Sequence, residues 1–184
     1  MAKNKSHDIG ALSPEMALLG LLYESPGYGY RLHRQVVADL GHVWHLSQSQ
    51  AYAILKRLEA QGEILVEEIP QEKLPARRLL HMTTLGRKHF LDWLDNTSGG
   101  SSRAIRLEFL TRLYFLRMYM PEKLSLAFDR QRAEAESHLR ELEKTLAELP
   151  DEQIYNRLSI DLRIEQLHAV LDWLVESQEY FQPE

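Results

Sequence analysis

The stretch from Ser47 to Gly62, SQSQAYAILKRLEAQG, restricts the fold more than any other part of the chain. It carries its own start and stop. Ser47, followed three residues later by Gln50, has the spacing of a capping box, in which each side chain meets the other residue's backbone N–H. Gly62 sits where a helix ends in the left-handed region, which glycine enters without a Cβ penalty. Between these limits each residue advances about 100° around a helix axis. Ala51, Ile54, Leu55 and Leu58 then share one face, while Ser49, Tyr52, Ala53, Lys56 and Arg57 lie on or near the opposite one. That outward face is basic, hydroxyl-bearing and narrow at its alanines. Such a helix suits the major groove of duplex DNA, which admits one helix and offers base edges to hydrogen-bonding side chains. An ordinary surface helix also keeps Lys and Arg in solvent, so the flanking sequence has to decide.

Upstream, residues 1 to 12 are polar and expected to fray. Ser13-Pro14 reads as an N-cap with Pro at the first helical position, and Met16 to Leu22 as a buried first helix. Ser25 to Gly29 reads as a turn. A second helix is expected from about Tyr30 to Leu40, with Leu32, Val36 and Val37 inward and Arg31, Arg34 and Gln35 outward, closed by Gly41. Downstream the period changes to two: Ile64, Val66 and Glu68 alternate with Leu65, Glu67 and Ile69, as in a strand. Pro70 to Ala76 is a polar loop and Arg77 to Met82 a return strand. Helix–turn–helix followed by a hairpin is the winged-helix order. Thr83 or Thr84 caps a fourth helix through about Asp95, with Leu85, Phe90, Trp93 and Leu94 as its apolar residues. Asn96 to Ser102, NTSGGSS, reads as a small, polar, flexible linker.

The second half reads as helical throughout. Ile105, Leu107, Phe109, Leu110, Leu113, Phe115 and Leu116 lie in an apolar helix that ends near Met120-Pro121. A second helix, about Glu122 to Leu149, carries Leu124, Phe128, Ala135, Leu139, Leu142 and Leu146, and Pro150-Asp151 breaks it. In the last helix Ile160, Ile164, Leu167, Leu171 and Leu174 recur at steps of four and three, a heptad seam. The seam can close a hairpin within one chain. Because three long helices with thin stripes bury little by themselves, packing between two copies is the favoured expectation. Leu110, Leu113 and the five seam residues are then the dimerisation set.

The fold class expected is mainly α with a small β-hairpin wing: a winged helix-turn-helix over 13–95, a linker over 96–102, and an α-helical dimerisation domain over 103–184. The net charge of −5 argues at first against a nucleic-acid partner. Its distribution reverses the argument. Through Asp95 there are 11 Lys+Arg and 11 Asp+Glu, against 11 and 16 from Asn96 onward, and Tyr28 to Lys88 alone holds 9 against 6. The head is modestly basic and the tail carries the acidity. There is no cysteine, hence no disulfide, thiol nucleophile or Cys-based zinc site. The first residues lack the apolar core of a secretory signal, and no run approaches the ~20 apolar residues that cross a bilayer, so a cytoplasmic location is expected. His42 and His45 are three apart without a convergent carboxylate, and no metal or cofactor is expected. No phosphate-binding Gly loop, nucleophile elbow or HExxH pair is present, so catalysis is not expected either.

Three stretches together resemble the PadR family of bacterial transcriptional regulators: ALLGLLYESPGYGYRLHRQV, SQSQAYAILKRLEAQGEI and TTLGRKHFLDWL. The long helical tail looks like the C-terminal domain of the family's longer, virulence-activator subgroup. The resemblance implies a homodimeric winged-helix regulator of double-stranded DNA, expected to be a repressor on a pseudo-palindromic operator. It places Gln48, Ser49, Tyr52 and Lys56 in the major groove, with Arg57 at the edge against phosphate or an acidic neighbour, and Lys73, Arg77 and Arg78 on the wing. The wing departs from the Gly-Arg-Pro-Arg type that relatives often carry. Tyr28 and Tyr30 have two readings, a turn packed on the first helix or a hydroxyl contact to phosphate. Relatives respond to phenolic or planar aromatic compounds, which implies an aromatic effector against Trp44, Phe90 and Trp93; the other reading of these rings is packing. A winged-helix module that binds protein instead of DNA is the alternative function.

Overall fold

The computed structural model describes residues 12–72 and 76–181. The frayed start expected over 1–12 lies, but for residue 12, outside them. The chain forms two compact units that part at Asn96/Thr97.

In the first unit, α1 (Glu15–Gly20), α2 (Gly29–Leu40) and α3 (Gln48–Ala60) precede a hairpin of β2 (Ile64–Ile69) and β3 (Arg77–Met82), and α4 (Thr84–Leu94) follows. The core is what helical spacing predicts for α3: Ala51, Ile54, Leu55 and Leu58 are all buried. Helix α3 packs on α1 and α2, and Ala17, Leu18 and Leu19 of α1, Leu32 and Val36 of α2, and Phe90 and Leu94 of α4 are buried with it in the core. Each buried Leu or Ile contributes roughly 2 kcal/mol of transfer free energy. The α3 start forms the expected capping box, with Ser47 N–H donating to Gln50 Oε1 at 2.9 Å and Gln50 N–H to Ser47 Oγ at 3.3 Å. Gly62 stops the helix at φ +74°.

Several local expectations are corrected. Gly27 and Tyr28 form a third strand, β1, rather than a plain turn, and pair antiparallel with Leu80 and Leu79 of β3 in a sheet of order β1-β3-β2. Two residues are too few for a period-2 signal, and only the neighbouring strand reveals them. Val37 is exposed rather than inward, at 47%, and Leu85, among the apolar residues of α4, is exposed at 55%. Each sits beside the buried stripe of a short helix whose packing is already complete. The α1 cap is Pro14, with no side-chain bond from Ser13, so the helix begins one residue later than the Ser-Pro signal suggests.

The second unit starts where a flexible linker was expected, and that segment is held. Ser98 N–H donates to Gln131 Oε1 at 3.0 Å, Gln131 Nε2 donates to Gly99 O at 2.9 Å, and the Arg112 guanidinium donates to Ser98 Oγ. Ser98, Arg112 and Gln131 are all buried. Burial lowers the Arg112 pKa to about 10, partly opposed by Glu108, which leaves it cationic at neutral pH. Helix α5 (Ser102–Ala104) runs through a π-helical turn (Ile105–Phe109) into α6 (Leu110–Tyr119). Then α7 (Leu124–Glu148) and α8 (Ile154–Gln178) form a long hairpin, closed by Arg157 donating to the carbonyls of Leu146 and Leu149.

The heptad seam is satisfied inside this unit. Ile164 and Leu167 form a core with Leu142, and Leu139, Leu146 and Ile160 pack against it. Leu113 and Leu174 are buried at 2% and 0%, and Leu171 is half-buried. Ile160, Ile164 and Leu167 of the seam thus pack on α7 within one chain, the intramolecular alternative that the heptad spacing left open. Of the dimerisation set, Leu110 alone lines an open groove, of about 610 Å³, together with Arg103, Arg106, Val170 and Trp173. Among the described residues no helix is long and apolar enough to cross a membrane.

Candidate nucleic-acid interface

The outward face of α3 is available along its length: Gln48, Ser49, Tyr52, Ala53, Lys56 and Arg57 are exposed. The capping box holds the leading turn, so Gln48 and Ser49 sit on fixed backbone. Ser49 Oγ lies 3.2 Å from Ser47 Oγ.

Beside this helix the sheet forms a cleft of about 350 Å³, walled by Tyr28, Tyr30, Tyr52, Lys56, Glu59, Arg77 and Arg78. Its shape follows from two close approaches. Gly29 lets α2 abut α3: a Cβ there would stand 3.1 Å from the Tyr52 ring and 3.2 Å from Leu55 Cδ1. Strand β1 sets Tyr28 against β3, and the Tyr28 and Tyr30 rings stack with centroids 6.1 Å apart. The two rings stack on each other and line the cleft, rather than the first helix alone.

The cations are not equivalent. Arg57 donates from Nε and Nη2 to Glu15 Oε1 at 3.0 and 2.6 Å. Arg78 Nη2 donates to both carboxylate oxygens of Glu59, at 3.0 and 2.8 Å. Each guanidinium is about half exposed, so these pairs add little stability, yet they fix where the charge sits. Lys56 and Arg77 have no ion pair among the described residues. Lys73 lies outside the described residues.

Residues 18–92 match the model of the transcriptional regulator PadR-like family. This stretch is a domain of the PadR-like family of transcriptional regulators. Residues 105–182 match the virulence activator alpha C-terminal model. The negative transcriptional regulator PadR of Bacillus subtilis (strain 168) is 26% identical over 133 residues, 72% of this chain and 72% of that protein. The crystal structure of Bacillus subtilis PadR in complex with operator DNA covers 91% of this chain and 98% of its own, at 23% identity and a TM-score of 0.45. Bacillus subtilis PadR in complex with p-coumaric acid covers 93% and 96%, at 21% identity and 0.41. A PadR-like regulator from Bacillus cereus covers 99% of both chains, at 20% identity and 0.43. The family is one of transcriptional regulators, not enzymes.

Within this PadR-like fold the aromatic trio expected to meet an effector is engaged otherwise. Phe90 is fully buried, with the Tyr23 and Trp93 rings at 5.4 and 6.0 Å, and Trp44 is 8% exposed. Phe90 and Trp44 offer no open ring face within one copy, and their large apolar area explains why the core takes them. Glu15 and Glu59 are the interface residues that sequence reasoning missed. Each lies far along the chain from its partner, 42 and 19 residues away, so no spacing rule couples them.

Proposed function

We propose that this PadR-like regulator is a homodimeric repressor whose two α3 helices enter successive major grooves of a pseudo-palindromic operator. The exposed row Gln48, Ser49, Tyr52 and Lys56 on a firmly capped helix carries this reading. Gln48 and Ser49, at the leading end, reach base edges; Gln pairs bidentately with adenine. Tyr52, Lys56 and Arg77 hold phosphates, which fix register without reading sequence. Lys73 belongs to the same wing in this proposal. The repressor role draws on the relative named a negative regulator. Genome-wide footprinting of bound DNA tests the whole: pseudo-palindromes with half-sites about one turn, ~34 Å, apart support it, and no enrichment over background removes it.

The second copy docks on a face other than the seam. On α8, Tyr155, Leu158 and Leu162 are exposed at 88%, 60% and 59% and recur at three- and four-residue steps. The same helix face continues through Ala169 to Trp173 at the groove that Leu110 lines. Antiparallel pairing of two α8 helices about Gln166 sets Leu162 level with Val170 of the second copy, each about 6 Å from the axis. Charge agrees with that pairing, because Asp161 and Glu165 are exposed on α8 while Arg103 and Arg106 rim the groove. This contact is isologous, as a two-fold requires. Light scattering on wild type and Leu162→Asp tests it: a dimer that the substitution splits supports the face, and a wild-type monomer removes it.

Release by a planar aromatic acid is the regulatory part of the proposal, and it rests on the family resemblance. Titration with p-coumaric acid against tryptophan fluorescence and operator occupancy tests it. A saturable fall in occupancy supports it, and unchanged occupancy at saturating compound removes it.

A further inference from the structure

Of the four described cations on the reading face, Lys56, Arg57, Arg77 and Arg78, two are held by carboxylates of the same chain. Glu59 leaves the last turn of α3 and grips Arg78 on β3 through both of its oxygens. The pair lines the same cleft as the unpaired Lys56 and Arg77. Glu15 holds Arg57 from α1 through a single oxygen, Oε1, which accepts from both Nε and Nη2. A carboxylate and a phosphate present the same two-oxygen acceptor to a guanidinium. Glu59 thus occupies on Arg78 the place that a backbone phosphate would take.

We infer that Glu59 is a specificity-setting residue: it withholds Arg78 from the DNA backbone and so suppresses binding to sequences other than the operator. The inference rests on the DNA-binding reading above. Non-specific complexes are held almost wholly by phosphate contacts, whereas an operator complex adds base contacts in one fixed register. In that register the Glu59–Arg78 fork keeps the wing strand at a set distance from the recognition helix, and Arg78 stays on Glu59. A complex without a preferred register gains from any free cation. Withholding one therefore subtracts more from non-specific than from specific binding.

The test compares wild type, Glu59→Gln, Arg78→Ala and the double variant on two probes across a salt series: a random-sequence duplex and an operator fragment recovered by footprinting. Glu59→Gln is expected to raise random-duplex affinity roughly five- to tenfold and steepen its salt slope by about one, with a clearly smaller change on the operator. Arg78→Ala alone lowers random-duplex affinity, because it bares the Glu59 carboxylate beside the phosphates. In the double variant the gain disappears. A gain that persists without Arg78 overturns the inference, since mere loss of a negative charge then explains it. Equal gains on both probes, or none on the random duplex, overturn it as well. Wild type that binds neither probe removes the DNA-binding reading itself, which is a different failure. Both side chains are substantially exposed, and melting curves of the variants confirm that the fold is kept.

Discussion

The Gln131 side chain closes a ring with the backbone of Ser98 and Gly99, accepting from Ser98 N–H at 3.0 Å and donating to Gly99 O at 2.9 Å. Its amide thereby serves two backbone groups of a segment rich in Gly and Ser, and Arg112 serves the Ser98 hydroxyl from the same interior. A stretch with the composition of a free linker becomes part of a helical core because two polar side chains, Gln131 and Arg112, meet it there with three hydrogen bonds.

Gln131→Leu keeps the volume but leaves Ser98 N–H and Gly99 O without their partner. An orphaned buried polar group costs about 1–3 kcal/mol, so a loss of roughly 2–4 kcal/mol is expected in urea unfolding of the full chain. A change under half a kcal/mol would show that water replaces the amide without cost.

Ser47→Ala removes one half of the capping box at the start of α3. Loss of a Ser cap costs about 1 kcal/mol, and Ser47→Gly is expected to cost only a few tenths. Denaturation curves of the two variants check the order. Operator affinity should fall more for the Ala variant, because Gln48 and Ser49 ride on the turn that frays.

Leu167→Ala and Leu162→Ala separate the two faces of α8. Leu167 is 2% exposed and its truncation should cost about 2–5 kcal/mol of unfolding free energy. Leu162 is 59% exposed, so its truncation should leave protomer stability within about 0.5 kcal/mol and weaken self-association instead. Sedimentation equilibrium beside urea titration distinguishes the two. Equal effects on both readouts would mean that the outer stripe is not the docking face.

Lys56→Ala and Arg77→Ala should each flatten the salt dependence of DNA affinity by about one log–log unit, as expected when one phosphate contact is lost. Both residues lack an ion pair among the described residues, so their charge is available at once. Binding titrations from low to moderate salt measure the slope. An unchanged slope would take the residue out of the interface.

Much of the head was legible in the linear order. Ser47, Gln50, Ala51, Ile54, Leu55, Leu58 and Gly62 state their roles by spacing alone, since a capping box and a 3.6-residue stripe are local physics. The hairpin followed from alternation over Ile64–Ile69 and Arg77–Met82, and the α7–α8 turn from Pro150-Asp151. These features depend on residues within a few positions of one another, and the chain's own geometry brings them together.

What only the tertiary structure decided are pairings across long separations. β1 exists because Leu79 and Leu80 of β3 lie alongside Gly27 and Tyr28. The heptad seam named the face of α8 that is buried but not what covers it, because an apolar stripe has no way to distinguish a neighbouring helix of its own chain from one of a second copy; α7 took that place. The same holds for charge. The sequence leaves Arg57 between a phosphate and an acidic neighbour and gives Arg78 no partner, and only folding, by bringing Glu15 and Glu59 within hydrogen-bonding distance, decides which cations remain to meet an anion.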